Sequence, residues 1–258
     1  MYFFFNYMLL KNYKINKKMK YIYFKKIKFI DLDPNELFDF CKKYGLYVFP
    51  SGPGLATIEN EKKYYRSLKQ ADYVFFDSSF FVILLNIFKN IKVKGLSGYK
   101  FLKYFFKFLK KNKNLKIFLI DPSLKKSKNN INYLLKLKLK KNKIKNYVAP
   151  LYNPKKINDR TLIRKIKQFK PQIILINLGG GTQEILGSYI TKKINFKSRI
   201  ICTGAAISFF TGDQAPINDL IDKFYLGWLV RIIFNPLQFY KRYLYALKLI
   251  NIVRKDTK

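Results

Sequence analysis

The run "QIILINLGGGTQEILGSYI", residues 172–190, constrains the fold more than any other stretch of the chain. Consecutive apolar residues from Ile173 to Ile176 read as a buried strand. Gly179, Gly180 and Gly181 then turn the backbone, and Thr182, Gln183 and Glu184 open a helix. A short buried strand that passes through glycines into a helix is the unit of a layered α/β domain.

The same alternation recurs along the chain. "YIYFKKIKFIDL" has the aromatic and β-branched content of a first strand, and "DPNELFDFCKKYG" reads as a short helix with Pro34 in its first turn. "LYVFPSGPGLATI" reads as a strand entering a Gly/Pro loop, and "ENEKKYYRSLKQA" as a polar helix. "DYVFFDSSFFVILLNIF" reads as a buried strand ending at Asp77 before another helix. In the Lys-rich middle, Phe101, Leu102, Phe105, Phe108 and Leu109 follow helical spacing. "KIFLID" is a further strand, with a helix after it. Asn158 is a candidate N-cap for a helix that stops at Pro171, and "SRIICTGAAISFFTG" is the next buried strand and loop. Strands separated by helices predict a Rossmann-like, largely parallel sheet flanked by helices, with its ligand crevice beyond the carboxyl ends of the strands.

Composition excludes more than it selects. With 52 Lys and Arg against 15 Asp and Glu the formal charge is +37, which attracts nucleic acid, anionic lipid and sugar nucleotide alike. The accompanying use of Asn, Ile, Phe and Tyr is that of an AT-rich coding sequence, with the charge spread over solvated faces. No zinc-ligand spacing, aromatic RNA-reading run or basic zipper accompanies it, so no nucleic-acid partner is expected. The chain has no histidine, which removes a histidine base, a Ser-His-Asp triad and most zinc sites. No cofactor or metal is expected, and any general base is Asp, Glu, Lys or Tyr. Cys41 and Cys202 have no paired spacing and are expected to be reduced and buried.

Three stretches could carry chemistry. At the strand-to-helix turn, amides of Gly179, Gly180 and Gly181 could approach a phosphate, although glycine also serves tight turns. Gln183 and Glu184 follow at the helix start, where Gln183 could contact substrate or satisfy loop amides. Asp77, at a strand end, suits a general base or the cap of the next helix. Ser51, in the loop with Gly52, Pro53 and Gly54, is a ligand candidate or a turn residue.

These residues carry a resemblance. "LINLGGGTQEILGSYI" is similar to the strand-loop-helix ending in Gln-Glu of the WecG/TagA/CpsF glycosyltransferases of bacteria. "IICTGAAISFFTGDQAPINDLIDKFYLGWLVRIIFNPLQFYKRYL" resembles that family's C-terminal signature, in which an Ala-Pro pair precedes Gly-x-Trp-x-x-Arg, Pro and Arg-Tyr. "ADYVFFDSSFF" and "VFPSGPGLATI" resemble its Asp segment and its Thr-x-Asn loop more loosely. The resemblance implies inverting, metal-free transfer of an N-acetylmannosamine-type sugar from a UDP donor to a polyprenyl-diphosphate-linked sugar, in cell-surface polysaccharide synthesis. It places the base on Asp77, substrate contacts on Ser51 and Gln183, and the hold on the diphosphate on Arg231 and Arg242. The chain departs from the pattern at Ser78 and Ser79, where glycines are usual, and at Ser208 and Gln214, where Asp and Arg are common.

The tail supplies its own membrane signal. Between Phe224 and Ile250, Trp228, Tyr240, Tyr243 and Tyr245 mix with Arg231, Lys241, Arg242 and Lys248, as in an interfacial helix pair broken near Pro236. Leu226, Leu229, Val230 and Ile233 form an apolar stripe that either meets lipid or packs on the domain. The expected organisation is an N-terminal extension over 1–19, with Met19 a candidate start, then an α/β domain over 20–220 and a helical appendage over 221–258. The expected setting is cytoplasmic, peripheral on the inner face of the membrane, with a homo-oligomer left open.

Overall fold

A computed structural model describes residues 20–213, 240–241 and 244–256. An eight-stranded sheet in the order β1-β2-β4-β3-β8-β7-β5-β6 runs through it. The strands are β1 (Lys20–Phe24), β2 (Ile27–Asp31), β3 (Gly45–Val48), β4 (Tyr73–Phe75), β5 (Ile117–Asp121), β6 (Ile144–Val148), β7 (Ile173–Ile176) and β8 (Arg199–Cys202). The β1/β2 pair is antiparallel and every other pair is parallel. The α/β class and largely parallel sheet expected from sequence are what the chain forms.

Period two in the strands decides what each face holds. Leu46, Val48, Val74, Ile174, Ile176 and Ile200 point into one core layer; Tyr47, Phe75, Ile173, Leu175 and Ile201 point into the other. The first layer is closed by α2 (Gly52–Leu55), α3 (Lys62–Gln70), α4 (Ser79–Lys89), α7 (Arg160–Phe169), α8 (Thr182–Lys193) and α10 (Lys248–Lys255). Over the second lie α1 (Leu37–Phe40), α5 (Gly98–Lys111), α6 (Leu124–Lys136) and α9 (Ser208–Thr211). The helical spacing read in the Lys-rich middle is realised in α5, which buries all five of those apolar residues. Phe101 packs on Tyr47, Phe49 and Phe75 with ring centroids 5.0–5.9 Å apart, which joins α5 to the central strands.

Three local expectations are corrected. "YIYFKKIKFIDL" is a hairpin, because Lys25 (φ 47°) and Lys26 (φ 59°) both take left-handed conformations and fold the run back on itself. The Tyr65 hydroxyl donates to the Lys25 carbonyl (2.9 Å) and ties that turn down. The N-cap of α7 is Asp159, whose carboxylate accepts the Leu162 amide (2.8 Å), not Asn158. "IKNYV" adds β6, an edge strand that sequence alone left unassigned.

α10, at the far end of the expected appendage, buries Leu249 and Val253 in the first layer against α4 and α2. The stripe Leu226, Leu229, Val230 and Ile233, the Pro236 break and residues 1–19 lie outside the described residues.

Candidate active site

The sheet's topology opens a crevice on either side of β8. After β3 and β7 the chain leaves towards the first layer; after β8, which lies between them, it leaves towards the second. Loops that part in this way leave room for a ligand at the carboxyl ends of parallel strands. Ser51 follows β3, Asp77 follows β4, Gly179 to Glu184 follow β7, and Thr203 and Gly204 follow β8.

Ser51 caps α2, its hydroxyl accepting the Gly54 amide (3.3 Å). A Cβ on Gly52 would stand 2.8 Å from the Ser78 hydroxyl, so the loops after β3 and β4 touch. Ser78, not Asp77, caps α4, with its Oγ accepting the Phe81 amide (3.2 Å). The half-buried Asp77 carboxylate instead accepts the Gly98 amide (2.7 Å) at the first turn of α5, where aligned peptide dipoles present partial positive charge. A Cβ on Gly98 would lie 3.7 Å from Asp77, from Phe49 and from Ala206 alike. That one position gathers the ends of β3, β4 and β8.

On the other side of β8 the predicted residues form a clamp. Gln183 is buried; its Oε1 accepts the Gly204 amide (2.7 Å) and its Nε2 donates to Glu184 (3.0 Å). The other oxygen of Glu184 accepts the Gly181 amide (2.6 Å). Together they fix both flanking loops, in which Gly181 (φ 88°) and Gly204 (φ 58°) hold conformations that favour glycine. Gly179 and Gly180 are exposed, and side chains added at Gly179 or Gly181 would meet only open space. The turn therefore presents backbone to the crevice.

The structure thus brings Gly52, next to Ser51, against Ser78, next to Asp77, and gathers Gln183 and Glu184 at the glycine turn, while Arg231 and Arg242 lie outside the described residues.

Sequence reasoning missed a buried polar group beneath the glycine turn. Asp121, at the end of β5, is fully buried, and one of its oxygens accepts from Asn177 and Asn130 (2.7 Å each). Its second oxygen and the side-chain oxygens of both asparagines have no hydrogen-bond partner. Burial pushes the Asp121 carboxyl up, only partly offset by the hydrogen bonds from Asn177 and Asn130. A polar residue closing each of two apolar strand runs, "FLID" and "ILIN", was the available signal. Their pairing depends on β5 lying beside β7, which the chain order does not state.

Cys41 and Cys202 are both free and buried, as expected. Burial, opposed weakly by Arg199, raises the Cys41 thiol to about 12; burial, with the Glu184 carboxylate adding to it, raises Cys202 as well. Neither thiol is poised for nucleophilic chemistry.

Two surface grooves lie apart from this crevice. One of about 820 Å³ between α7 and α8 is lined by Arg160, Arg164, Lys167, Tyr189 and Lys193 among others. The other, of about 470 Å³, lies by Asp159, whose carboxylate accepts from Tyr147 (2.8 Å) and Tyr152 (2.7 Å). Burial, reinforced by Asp159, raises the Tyr147 hydroxyl to about 12 and raises Tyr152 too. Neither groove is lined by Ser51, Asp77 or Gln183, which lie instead on the loops at the carboxyl ends of the strands around the topological switch at β8.

Among the described residues, no three His, Cys, Asp or Glu side chains are grouped so as to hold a metal ion, and no helix is long and apolar enough to cross a membrane.

A doubly wound, largely parallel sheet with strand-end loops meeting around β8 defines the class, an open α/β domain. The chain belongs to the glycosyl transferase WecG/TagA/CpsF family, whose sequence profile matches residues 23–257. No curated protein matches the chain.

Proposed function

We propose that this glycosyltransferase moves an N-acetylmannosamine-type sugar from a UDP donor to a polyprenyl-diphosphate-linked sugar, working at the inner face of the cell membrane in surface polysaccharide assembly. The observation that carries the reading is the placement of Asp77: its neighbour Ser78 caps α4, and its carboxylate stands where the ends of β3, β4 and β8 meet.

In this reading Asp77 takes the proton of the acceptor hydroxyl as that oxygen bonds to the anomeric carbon. The bond from that carbon to the diphosphate breaks on the opposite face, and its electron pair leaves with UDP, so the configuration inverts. The exposed backbone of Gly179 and Gly180 receives phosphate oxygens at the start of α8, beside Gly181, whose amide Glu184 holds. Gln183 and Glu184 keep that turn in place, Ser51 borders the acceptor side, and Arg231 and Arg242 neutralise the leaving diphosphate.

The test is thermal stabilisation by UDP, GDP and ADP, followed by product analysis with UDP-N-acetylmannosamine and a lipid-diphosphate acceptor. A shift selective for UDP together with an inverted product is the expected result. A second reading, a non-catalytic sugar-nucleotide or lipid-binding assembly protein, draws on Ser208, a buried serine where the family commonly has aspartate. UDP binding without turnover would assign that role.

A further inference from the structure

Among the described residues, seven buried side-chain atoms have no hydrogen-bond partner, and they divide by chemistry between the two ends of the sheet. At the amino end of β8 they are the Ser198 hydroxyl and two nitrogens of Arg199. At the carboxyl end all four are oxygens: Asp121 Oδ2, the amide oxygens of Asn130 and Asn177, and the Thr203 hydroxyl. Each such atom costs free energy while it stays buried, so acceptors gathered at one place call for a shared donor or cation.

The strands build this row. Leu119, Leu175 and Ile201 are partners in register across β5, β7 and β8 and point into the second layer. Two residues on, period two returns Asp121 and Asn177 to the same face, where Asn130 of α6 meets them, and Thr203 follows the end of β8 at the next place in the row. The amide nitrogens of Asn130 and Asn177 both donate to Asp121 Oδ1, which decides which end of each amide is oxygen. Each amide oxygen thus stands one carbon atom from a nitrogen bonded to the carboxylate, and the amides have no donor turned towards Oδ2.

Nothing nearby answers these oxygens. Asp121, Asn130 and Asn177 are 0%, 1% and 6% exposed. The Ser127 oxygen is engaged by the Asn146 amide (2.9 Å), and its hydroxyl carries one proton, too few for three acceptors. Lys126, on the same helix, is paired with Asp213 (3.4 Å). The other buried acids differ: both oxygens of Glu184 accept from Gly181 and Gln183, and both of Asp159 accept from Leu162, Tyr147 and Tyr152. Asp121 alone of the three leaves an oxygen over.

We propose that Asp121, Asn130 and Asn177 hold a monovalent metal cation, sodium or potassium, between β5, β7 and α6. A hard cation takes oxygen ligands, and a single carboxylate balances a single positive charge, whereas calcium takes about 6–8 oxygens at twice the charge. Asn177 stands two residues before Gly179, so the ion ties the base of the glycine turn to β5 and α6. That the turn receives phosphate rests on the transferase reading; the ion site does not. Without the ion the buried carboxylate is a cost and Asp121→Asn stabilises the fold; with it, Asp121→Asn also removes what the ion contributes.

The test is thermal unfolding at about pH 8 in tetramethylammonium, sodium and potassium chlorides at one ionic strength. Chloride and screening are then equal throughout, so the high charge of the chain acts alike in all three. Sodium or potassium should raise Tm saturably over tetramethylammonium, by about 5–10 °C once the ion stands ~100-fold above its Kd. Asp121→Asn should abolish the difference between salts. Equal Tm in the three salts overturns the proposal, because ordered water would serve the oxygens alike in each. An ion-specific rise that survives in Asp121→Asn overturns it too, since the ion then binds elsewhere.

Hydrogen exchange on the wild-type chain frees the test from the folding of the variant. Amides in 119–131 and 175–181 should exchange more slowly in the favoured salt, while those of β1 and β2, at the far edge of the sheet, should not change. A uniform change, or none, overturns the proposal. UDP stabilisation is measured in the same salts. If UDP has no effect but the ions behave as described, the cation site stands and the transferase reading falls; a UDP shift with no ion effect has the opposite meaning.

Discussion

Asp77 accepts the backbone amide of Gly98 at 2.7 Å, so the carboxylate at the end of β4 is held by a helix that begins 21 residues later. Asparagine can keep that bond through its side-chain oxygen but cannot take a proton. Asp77→Asn is therefore expected to lower transferase turnover by about 10²–10⁴-fold with little change in Tm. Initial rates and thermal melts on the same preparation check this; a folded variant with full turnover removes Asp77 as the base.

The Gln183 side chain is the partner of the Gly204 amide. Gln183→Ala leaves that buried donor unpaired, at a cost of about 1–3 kcal/mol, or a Tm lowered by a few to about 10 °C in a chain of this size. Calorimetry checks it. An unchanged Tm would mean that the loop after β8 finds another acceptor.

Asp121 is raised by folding, so its ionised form is the one the fold disfavours. That penalty is absent below the unfolded value near pH 4 and grows as pH rises towards the folded value. Asp121→Asn retains an acceptor and turns the unpartnered Asp121 oxygen into an N–H donor beside the two unpartnered oxygens of Asn130 and Asn177. It is expected to stabilise the protein by on the order of 1 kcal/mol at pH 8, with the gain shrinking towards pH 4. Urea midpoints at the two pH values measure the difference.

Asp213 behaves in the opposite sense. Burial acts to raise its carboxyl, but the Thr211 hydroxyl, the Asn129 amide and the Lys126 ammonium (3.4 Å) outweigh it, and the net shift is downward. Its contribution is present above the unfolded value near pH 4 and is lost as pH falls through the lower folded value. Asp213→Asn should therefore lower Tm at pH 7 and lower it less at about pH 3. A Tm gap equal at the two pH values would show that charge is not what Asp213 contributes.

Lys26 sits at φ 59° in the β1–β2 turn. A left-handed conformation costs a non-glycine residue about 1–2 kcal/mol, and glycine loses roughly 0.5–1 kcal/mol of chain entropy in exchange. Lys26→Gly should give a net gain of about 0.5–1 kcal/mol, read as a higher denaturation midpoint.

The layered fold was legible because the central strands are apolar on both faces and α5 repeats with helical spacing. The first hairpin was not, since its turn consists of two lysines where Asn-Gly would have announced it. β6 escaped for a related reason: as an edge strand it carries exposed Lys145 and Asn146 and lacks the buried signature of its neighbours. Of the site, the residues next to glycines were readable, and so was the choice facing Asp77 between base and cap. That Ser78 rather than Asp77 takes the cap is decided by the local backbone at the start of α4, whereas the meeting of Asp121 with Asn177 depends on β5 and β7 becoming neighbours.

The two border strands bear on how this chain exists at high concentration. An uncovered strand edge invites another molecule to add its own strand about 4.8 Å away, and a polypeptide with 25 Phe and 20 Tyr has ample reason to accept. Here β1 begins at exposed Lys20 and ends at the Lys25–Lys26 turn, while β6 is five residues long and presents Lys145 outward. A strand added in register would set ammonium against ammonium at every such position. The lysine excess, which says little about ligands, works at these borders against fibril growth.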